Sequence, residues 1–223
     1  MTVARRPLVR LAALAVLAIA AVAVAILVAG PGSETKLADP DAPSQLRGIP
    51  QDGIALGDPA APVTMVEFAD LQCPFCREYA QNVLPELIDR YVRTGKVRLE
   101  LHLLRFIGED SDVLARTAAG AAAKDRMWHV VELAYARQGR ENSGYADEQF
   151  VDELVRDAGL AEVDDGPAAE ETVAAGEEAA RAAGIDSTPS FLIGPTGGTL
   201  ERFQPQSLSA EEFTDRIDAE LRR

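Results

Sequence analysis

The run Val63-Thr64-Met65-Val66-Glu67-Phe68 is apolar and β-branched apart from one acid, and it predicts a buried strand. Beyond Pro74 the period changes. The pairs Phe75/Cys76, Tyr79/Ala80, Val83/Leu84, Leu87/Ile88 and Tyr91/Val92 recur every four residues, giving one apolar stripe along a helix. Pro85 falls inside that helix and predicts a kink, and Thr94-Gly95-Lys96 ends it. Val97 to Leu104 alternates and predicts a second strand, which completes a β-α-β unit. Residues 108–184 carry helical patterning only. Helices are expected over Asp112 to Lys124 and Asp125 to Gln138, from a cap at Asp147 to Gly159, and from Pro167 to near Gly184, with a loop at Gly139 to Tyr145. Helices this short persist only when packed, so the stretch reads as a helical subdomain with Met127, Trp128, Val131 and Tyr135 in its core. Ser190 to Ile193 and Thr199 to Phe203 are short strands joined by a Gly-Pro-Thr-Gly-Gly turn. Ser209-Ala210-Glu211-Glu212 is a capping box opening a last helix with Phe213, Ile217 and Leu221 on its apolar stripe.

The N-terminal pattern differs. Arg5, Arg6 and Arg10 precede an uncharged run of Ala, Val, Leu and Ile from Leu11 to Ala29. As a helix it spans about 28 Å, close to the hydrocarbon thickness of a bilayer. Residues 1–30 therefore read as a membrane anchor with a cytoplasmic N-terminus, or as a cleaved signal peptide. The anchor is preferred, because the apolar core of a signal peptide is usually about 7–15 residues. Either reading exports the rest of the chain. Residues 31–54 are rich in Pro and Gly and read as a linker, with Gln51 to Leu56 able to form a short edge strand; the folded domain is expected at 55–223, with the helical insertion at about 108–184.

Composition narrows the partners. The formal charge is −14, and only three of the 22 basic residues and no acid lie in the first thirty, so residues 31–223 carry 19 basic against 36 acidic side chains. That balance argues against nucleic acid, or an anionic membrane surface, as a partner of the folded part. Two cysteines make neither a disulfide framework nor a tetrahedral zinc site, and the two histidines, His102 and His129, lack zinc-finger spacing and read as packed or surface side chains; no metal is expected.

The chemistry concentrates at Leu71-Gln72-Cys73-Pro74-Phe75-Cys76, which holds both cysteines. A lone CxxC can be half a zinc site or a redox pair. Here it falls between the end of a strand and the start of a helix, with Pro74 in the first turn, where a missing N–H costs nothing. A thiol in that place faces free backbone N–H groups and the positive end of the helix dipole, both of which stabilise a thiolate. Glu67 lies six residues earlier among apolar neighbours. Two readings stand for it: a buried acid of raised pKa that relays a proton to or from Cys76, or an acid on an exposed strand face.

The order β-α-β, helical insertion, β-β-α is the arrangement of the thioredoxin fold. Phe68-Ala69-Asp70-Leu71-Gln72-Cys73-Pro74-Phe75-Cys76, preceded by Gly57-Asp58-Pro59-Ala60-Ala61-Pro62-Val63, resembles the entry to DsbA-like disulfide oxidoreductases, and Gly184-Ile185-Asp186-Ser187-Thr188-Pro189-Ser190-Phe191 is similar to their second signature. The resemblance covers roughly residues 55–220. It departs at Ser187, where glycine is common, and at Phe75, where the strongest oxidants carry histidine. It implies that Cys73 is the exchanging sulfur and Cys76 the resolving one, that Thr188-Pro189 is a cis-proline loop on which substrate lies, and that Pro74 and Phe75 tune the potential. It also favours the relay reading of Glu67.

The expectation is then an extracytoplasmic thiol:disulfide oxidoreductase needing no cofactor. It would form disulfides in reduced exported proteins and be reoxidised by a membrane quinone-linked thiol oxidase. The alternatives are a reductase or isomerase of the same compartment, or a non-catalytic thioredoxin-fold binding or chaperone module.

Overall fold

A computed structural model of the chain describes residues 44–223. The anchor or signal assigned to residues 1–30 falls outside them. Among the described residues no helix is long and apolar enough to cross a membrane.

Six strands form one sheet: β1 (Gln51–Asp52), β2 (Ala55–Leu56), β3 (Val63–Ala69), β4 (Val97–Leu103), β5 (Ser190–Pro195) and β6 (Glu201–Phe203), in the order β1-β2-β4-β3-β5-β6. Every residue of β3 is buried, as its continuous apolar run requires of a central strand. It pairs parallel with β4 and antiparallel with β5. Parallel β3 and β4 need a crossover, and the segment after Pro74 supplies it: α1 (Pro74–Asn82), α2 (Leu84–Leu87) and a π-helical turn at Ile88–Val92. The expected kink at Pro85 is thus a break into three pieces. Pro85 has no N–H to offer the preceding turn, α1 closes at Val83, and the chain leaves through i+5 bonds from Arg93 to Ile88 and from Lys96 to Tyr91.

The helical stretch holds α3 (Glu109–Ala122), α4 (Met127–Ala136), α5 (Glu148–Asp157) and α6 (Pro167–Ala182); α7 (Ala210–Leu221) follows β6. Asp147 caps α5 by accepting from the Phe150 N–H. The capping box at Ser209 is made on one arm only. Ser209 accepts from the Glu212 N–H at 3.5 Å, while the Glu212 carboxylate takes the N–H groups of Gln206 and Ser207 instead.

Side-chain alternation gives the sheet two faces. Val63, Met65 and Ala69 of β3 join the larger core, together with Cys76, Tyr79, Leu87, Phe191 and Phe213. Val66 and Phe68 point the other way, into a small core with Leu104, Ala180 and Ile185. On that second face His102 stacks on Phe68 at 5.2 Å, and burial lowers its pKa. Trp128 is core, with its indole N–H donated to the Ile54 carbonyl at 3.0 Å.

The folded unit starts earlier than position 55. Leu46 and Ile49 are buried in the main core, the Gln45 and Arg47 carbonyls accept from Arg93, and Gln51–Asp52 is already paired. Two spaced apolar residues among prolines and glycines are too weak a periodic signal to mark this, so residues 44–54 read as linker although they pack as part of the domain. Gly57 closes the entry. Its φ is +111°, and a Cβ there would lie 3.0 Å from the Val97 carbonyl oxygen, so only glycine lets the chain pass the start of β4.

Candidate active site

Cys73 is the N-cap residue of α1 (φ −70°, ψ 121°). An N-cap side chain lies beside the unpaired N–H groups of the second and third helical residues, here Phe75 and Cys76, while Pro74 at the first has none to satisfy. The backbone before the helix is also tied down, the Cys73 N–H donating to the Asp70 carbonyl at 3.0 Å. Both cysteines are free thiols. Cys73 keeps 5% of its surface and Cys76 none, so only the outer sulfur can meet a substrate.

The two sulfurs are tuned apart. The Cys76 thiol, donating to the Cys73 sulfur, is the largest influence bringing the Cys73 pKa down to about 6. Burial works against it, and the Thr188 hydroxyl and the N–H groups of Cys76 and Phe75 add to the lowering. Cys76 moves the other way, well above the ordinary thiol range, through burial, then through its hydrogen bond to Cys73, then through the Cys73 and Glu67 charges. At neutral pH the outer sulfur is mostly thiolate and the inner one a thiol, the division of labour that exchange requires.

The Thr188–Pro189 peptide bond is cis, and the loop faces α1. The Thr188 carbonyl accepts from the Cys73 thiol at 3.5 Å; that contact belongs to the thiol form, whereas the Thr188 hydroxyl serves the thiolate. Ser187 causes no difficulty. It is exposed, its carbonyl accepts from Ser190 Oγ at 2.7 Å, and it is not among the described residues with positive φ, so glycine is not required there.

Glu67 lies on the β3 face that looks into the main core, since its parity matches Met65 and Ala69. It is buried, which removes the exposed-face reading. Burial, then the charge on Cys73, raises its pKa to about 8. Glu67 is therefore a neutral carboxylic acid at pH 7 behind the two sulfurs, whereas Pro74 and Phe75 are both exposed, Phe75 at 61%.

Residues 50–219 match the family model described as thioredoxin. The chain belongs to the thioredoxin family. Over 107 residues it is 37% identical to a protein of Bacillus cereus named probable disulfide bond formation protein D, a match covering 46% of this chain and 49% of that one. The chain thus spans about half the length of that curated relative. Its fold is that of BdbD from Bacillus subtilis in the oxidised form, with a TM-score of 0.64 at 18% identity, covering 78% of this chain and 98% of the other. A thioredoxin-like oxidoreductase from Silicibacter pomeroyi DSS-3 superposes with a TM-score of 0.59 at 26% identity, over 83% and 95% of the two chains.

Several residues of this thioredoxin-family site carry no mark in the sequence. Asp70 is wholly buried and accepts from four donors: the N–H groups of Gln72, Phe106 and Ile107, and Ser111 Oγ. Gln72 bridges Ser111 and the Asn142 N–H. Gln138 Nε2 donates to the Leu71 and Cys73 carbonyls at 2.9 and 3.2 Å, and Tyr135 Oη to the Asp70 carbonyl at 3.3 Å. The helical insertion therefore does more than enlarge the domain, because it grips the turn that presents Cys73. Asp70 stands within the quoted motif and could have been suspected as the one acid following an apolar strand. Ser111, Tyr135 and Gln138 could not, since only folding brings them near.

Glu67→Gln should slow exchange about 10²-fold, the lower end of what a positioned acid contributes. The sign of its effect on stability also follows. A carboxyl with a folded pKa near 8 holds its proton in the folded state while the unfolded chain has lost it, so stability falls as pH rises from the ordinary carboxyl range through about 8. The glutamine variant should escape that fall, and chemical denaturation of both proteins at pH 4 and pH 9 measures it.

Proposed function

We propose that this chain is an extracytoplasmic thiol:disulfide oxidoreductase that forms disulfides in exported proteins by exchange through Cys73 and Cys76. The observation that carries this reading is the asymmetry of the pair: a reachable Cys73 thiolate at a helix start, served by the Thr188 hydroxyl, with a wholly buried, protonated Cys76 behind it. The name of the Bacillus cereus relative supports the direction of the reaction.

In the oxidised state a substrate thiolate attacks Cys73. The Cys73–Cys76 bond breaks, a Cys73–substrate disulfide forms, and Cys76 leaves with the electron pair and takes the Glu67 proton. A second substrate thiol then attacks the substrate's own sulfur and releases Cys73 as a stabilised thiolate. Two thiols carry the two electrons, so the reaction needs no bound cofactor. The half-buried Thr188-Pro189 loop lies where an extended substrate segment would run past Cys73. The apolar run after Arg10 supports tethering to the cell membrane with the domain outside, the released form after signal cleavage being the variant of the same reading. In either case reoxidation falls to a membrane quinone-linked thiol oxidase.

A Cys73 pKa of about 6 lies between the values of thioredoxin, about 7, and of the strongest oxidants, about 3.5. Phe75 fits that poise, since an exposed phenyl ring offers the thiolate neither a proton nor a positive charge. Phe75→His should shift the equilibrium with glutathione about tenfold towards the dithiol, or about 30 mV. An unchanged equilibrium in that variant would remove Phe75 from the tuning. The function itself is tested by oxidative refolding of reduced, scrambled protein, together with the reduction potential. Disulfide donation expects catalysed refolding and a potential above that of thioredoxin, about −270 mV. A potential at or below that value, without refolding activity, overturns it.

A further inference from the structure

A cavity of about 250 Å³ opens beside the active site, between the Gln45 segment, α1, α2 and α4. Glu67 forms its inner end. Gln81, Trp128 and Tyr135 wall it, and Gln45 and Glu132 stand with it towards solvent. Only two carboxylate oxygens among the described residues are buried with no protein partner: Glu67 Oε1 and Glu132 Oε2. Both acids line this one cavity. The other Glu132 oxygen accepts from Gln45 Nε2.

A buried carboxyl oxygen without a partner is destabilising, and water can remove that cost where space and polar partners exist. Each water needs about 10–15 Å³ of such space, so the cavity can hold several in a row. The mechanism leaves a matching need. Cys76 is sealed from solvent, and Glu67, which serves it, is buried as well, so every turnover must refill Glu67 from outside.

We propose that waters in this cavity connect Glu67 to Glu132, and that Glu132 is the outer carboxyl of the proton route serving Cys76. This rests on the oxidoreductase reading above and names a residue of that site. As the Cys73–Cys76 bond breaks, Glu67 gives its proton to the departing Cys76 sulfur. A cavity water returns one to Glu67, Glu132 returns one to the water, and solvent reprotonates Glu132. One proton enters and the electron count is unchanged. The titratable groups coupled to Glu67 are Cys73, whose charge raises it, and Cys76, Tyr79 and Tyr135, which a charge on Glu67 would raise. The two tyrosines are held far up the pH scale by burial, so neither competes for the proton at neutral pH. Glu132 meets Gln45 and the cavity and is itself raised to about 7 by burial, which suits a group passing protons near neutrality.

Glu132 is a positioning residue acting through Glu67, so its test needs readouts that loosened packing would not move. The oxidised full chain is mixed with dithiothreitol, and its reduction is followed by fluorescence of Trp128, the one tryptophan in the sequence. Glu132→Gln should slow reduction about tenfold, below the roughly 10²-fold expected for direct acid catalysis. It should enlarge the solvent deuterium isotope effect and leave the equilibrium with glutathione unmoved. Glu132→Asp should keep most of the rate, and added formate should restore Glu132→Ala but not Glu67→Gln. Ala136→Leu, at an exposed position on the cavity rim, should slow the reaction in the same sense without removing a carboxyl. Wild-type rates and isotope effects in both Glu132→Gln and Ala136→Leu, with Glu67→Gln still slow, would overturn the route and leave the oxidoreductase reading standing. A rate loss accompanied by a moved glutathione equilibrium would overturn it too. A wild-type chain that exchanges with neither dithiothreitol nor a refolding substrate would overturn the parent reading, and the route with it.

Discussion

Cys73→Ala is expected to abolish disulfide exchange, leaving refolding at the uncatalysed rate, and Cys76 is not expected to substitute for it. The reason is geometric and electrostatic together. Cys76 has no exposed surface, and burial holds its pKa well above the ordinary range. An unperturbed thiol is only a few per cent thiolate at pH 7, and Cys76 falls below that. The reciprocal variant separates the roles. Reduced Cys76→Ala should still attack oxidised glutathione and then stop as a mixed disulfide on Cys73, because the resolving sulfur is missing. Its rate of attack should titrate with the Cys73 thiolate. The midpoint should lie above the wild-type value of about 6, since the Cys76 thiol is the largest single influence lowering it. Mass spectrometry of the trapped adduct and the pH dependence of its formation check both statements. Equal reactivity of Cys73→Ala and wild type towards oxidised glutathione would show that the assignment of the outer sulfur is wrong.

The parts of this site legible in the chain are those that depend on local order. The apolar β3 run, the four-residue period after Pro74 and the CxxC between them are neighbours in sequence, and a strand, a helix start and an N-cap thiol follow from that adjacency alone. Thr188-Pro189 lies far from Cys73 in the chain and is marked only by the family resemblance, because nothing in a Thr-Pro dipeptide tells which strand it will face. Glu67 was half legible. Its neighbours indicated burial, but the face it takes is set by the register of β3 between β4 and β5, a long-range property. The break near Pro85 was legible as a disturbance, but its outcome was not, since a π-helical exit depends on how Tyr91 and Val92 pack below the sheet. The grip of the insertion on the active-site turn was not legible at all. Ser111, Tyr135 and Gln138 sit in ordinary helical patterns, and their roles arise only when α3 and α4 fold back over residues 70–73.

That grip makes Asp70 the position whose loss should cost most in stability. Asp70→Ala would strand four donors at once: the Gln72 N–H and the Ser111 hydroxyl, which are buried, and the Phe106 and Ile107 N–H groups, which are partly buried. A buried donor left without a partner costs about 1–3 kcal/mol, so the two buried donors alone set an expected loss of at least about 2 kcal/mol, a large share of the stability of a typical domain. Asp70→Asn is the informative companion. One amide oxygen can still accept from Gln72 and Ser111, but its NH₂ then faces the N–H groups of Phe106 and Ile107, donor against donor. It should lose less than the alanine variant and still more than a surface substitution. Urea denaturation gives the order wild type, asparagine, alanine. The functional consequence follows from the same bonds. Asp70 holds the loop after β4 to the turn before α1, and its own carbonyl receives the Cys73 N–H and the Tyr135 hydroxyl. In an asparagine variant that stays folded, a loosened turn should place the Cys73 sulfur less accurately against Phe75 N–H, Cys76 N–H and Thr188. Its thiolate should then titrate above about 6, and the chain should be a weaker oxidant although neither cysteine has been touched. An asparagine variant with wild-type stability and an unmoved Cys73 titration would show that the turn is held by the remaining contacts of Gln72 and Gln138 alone.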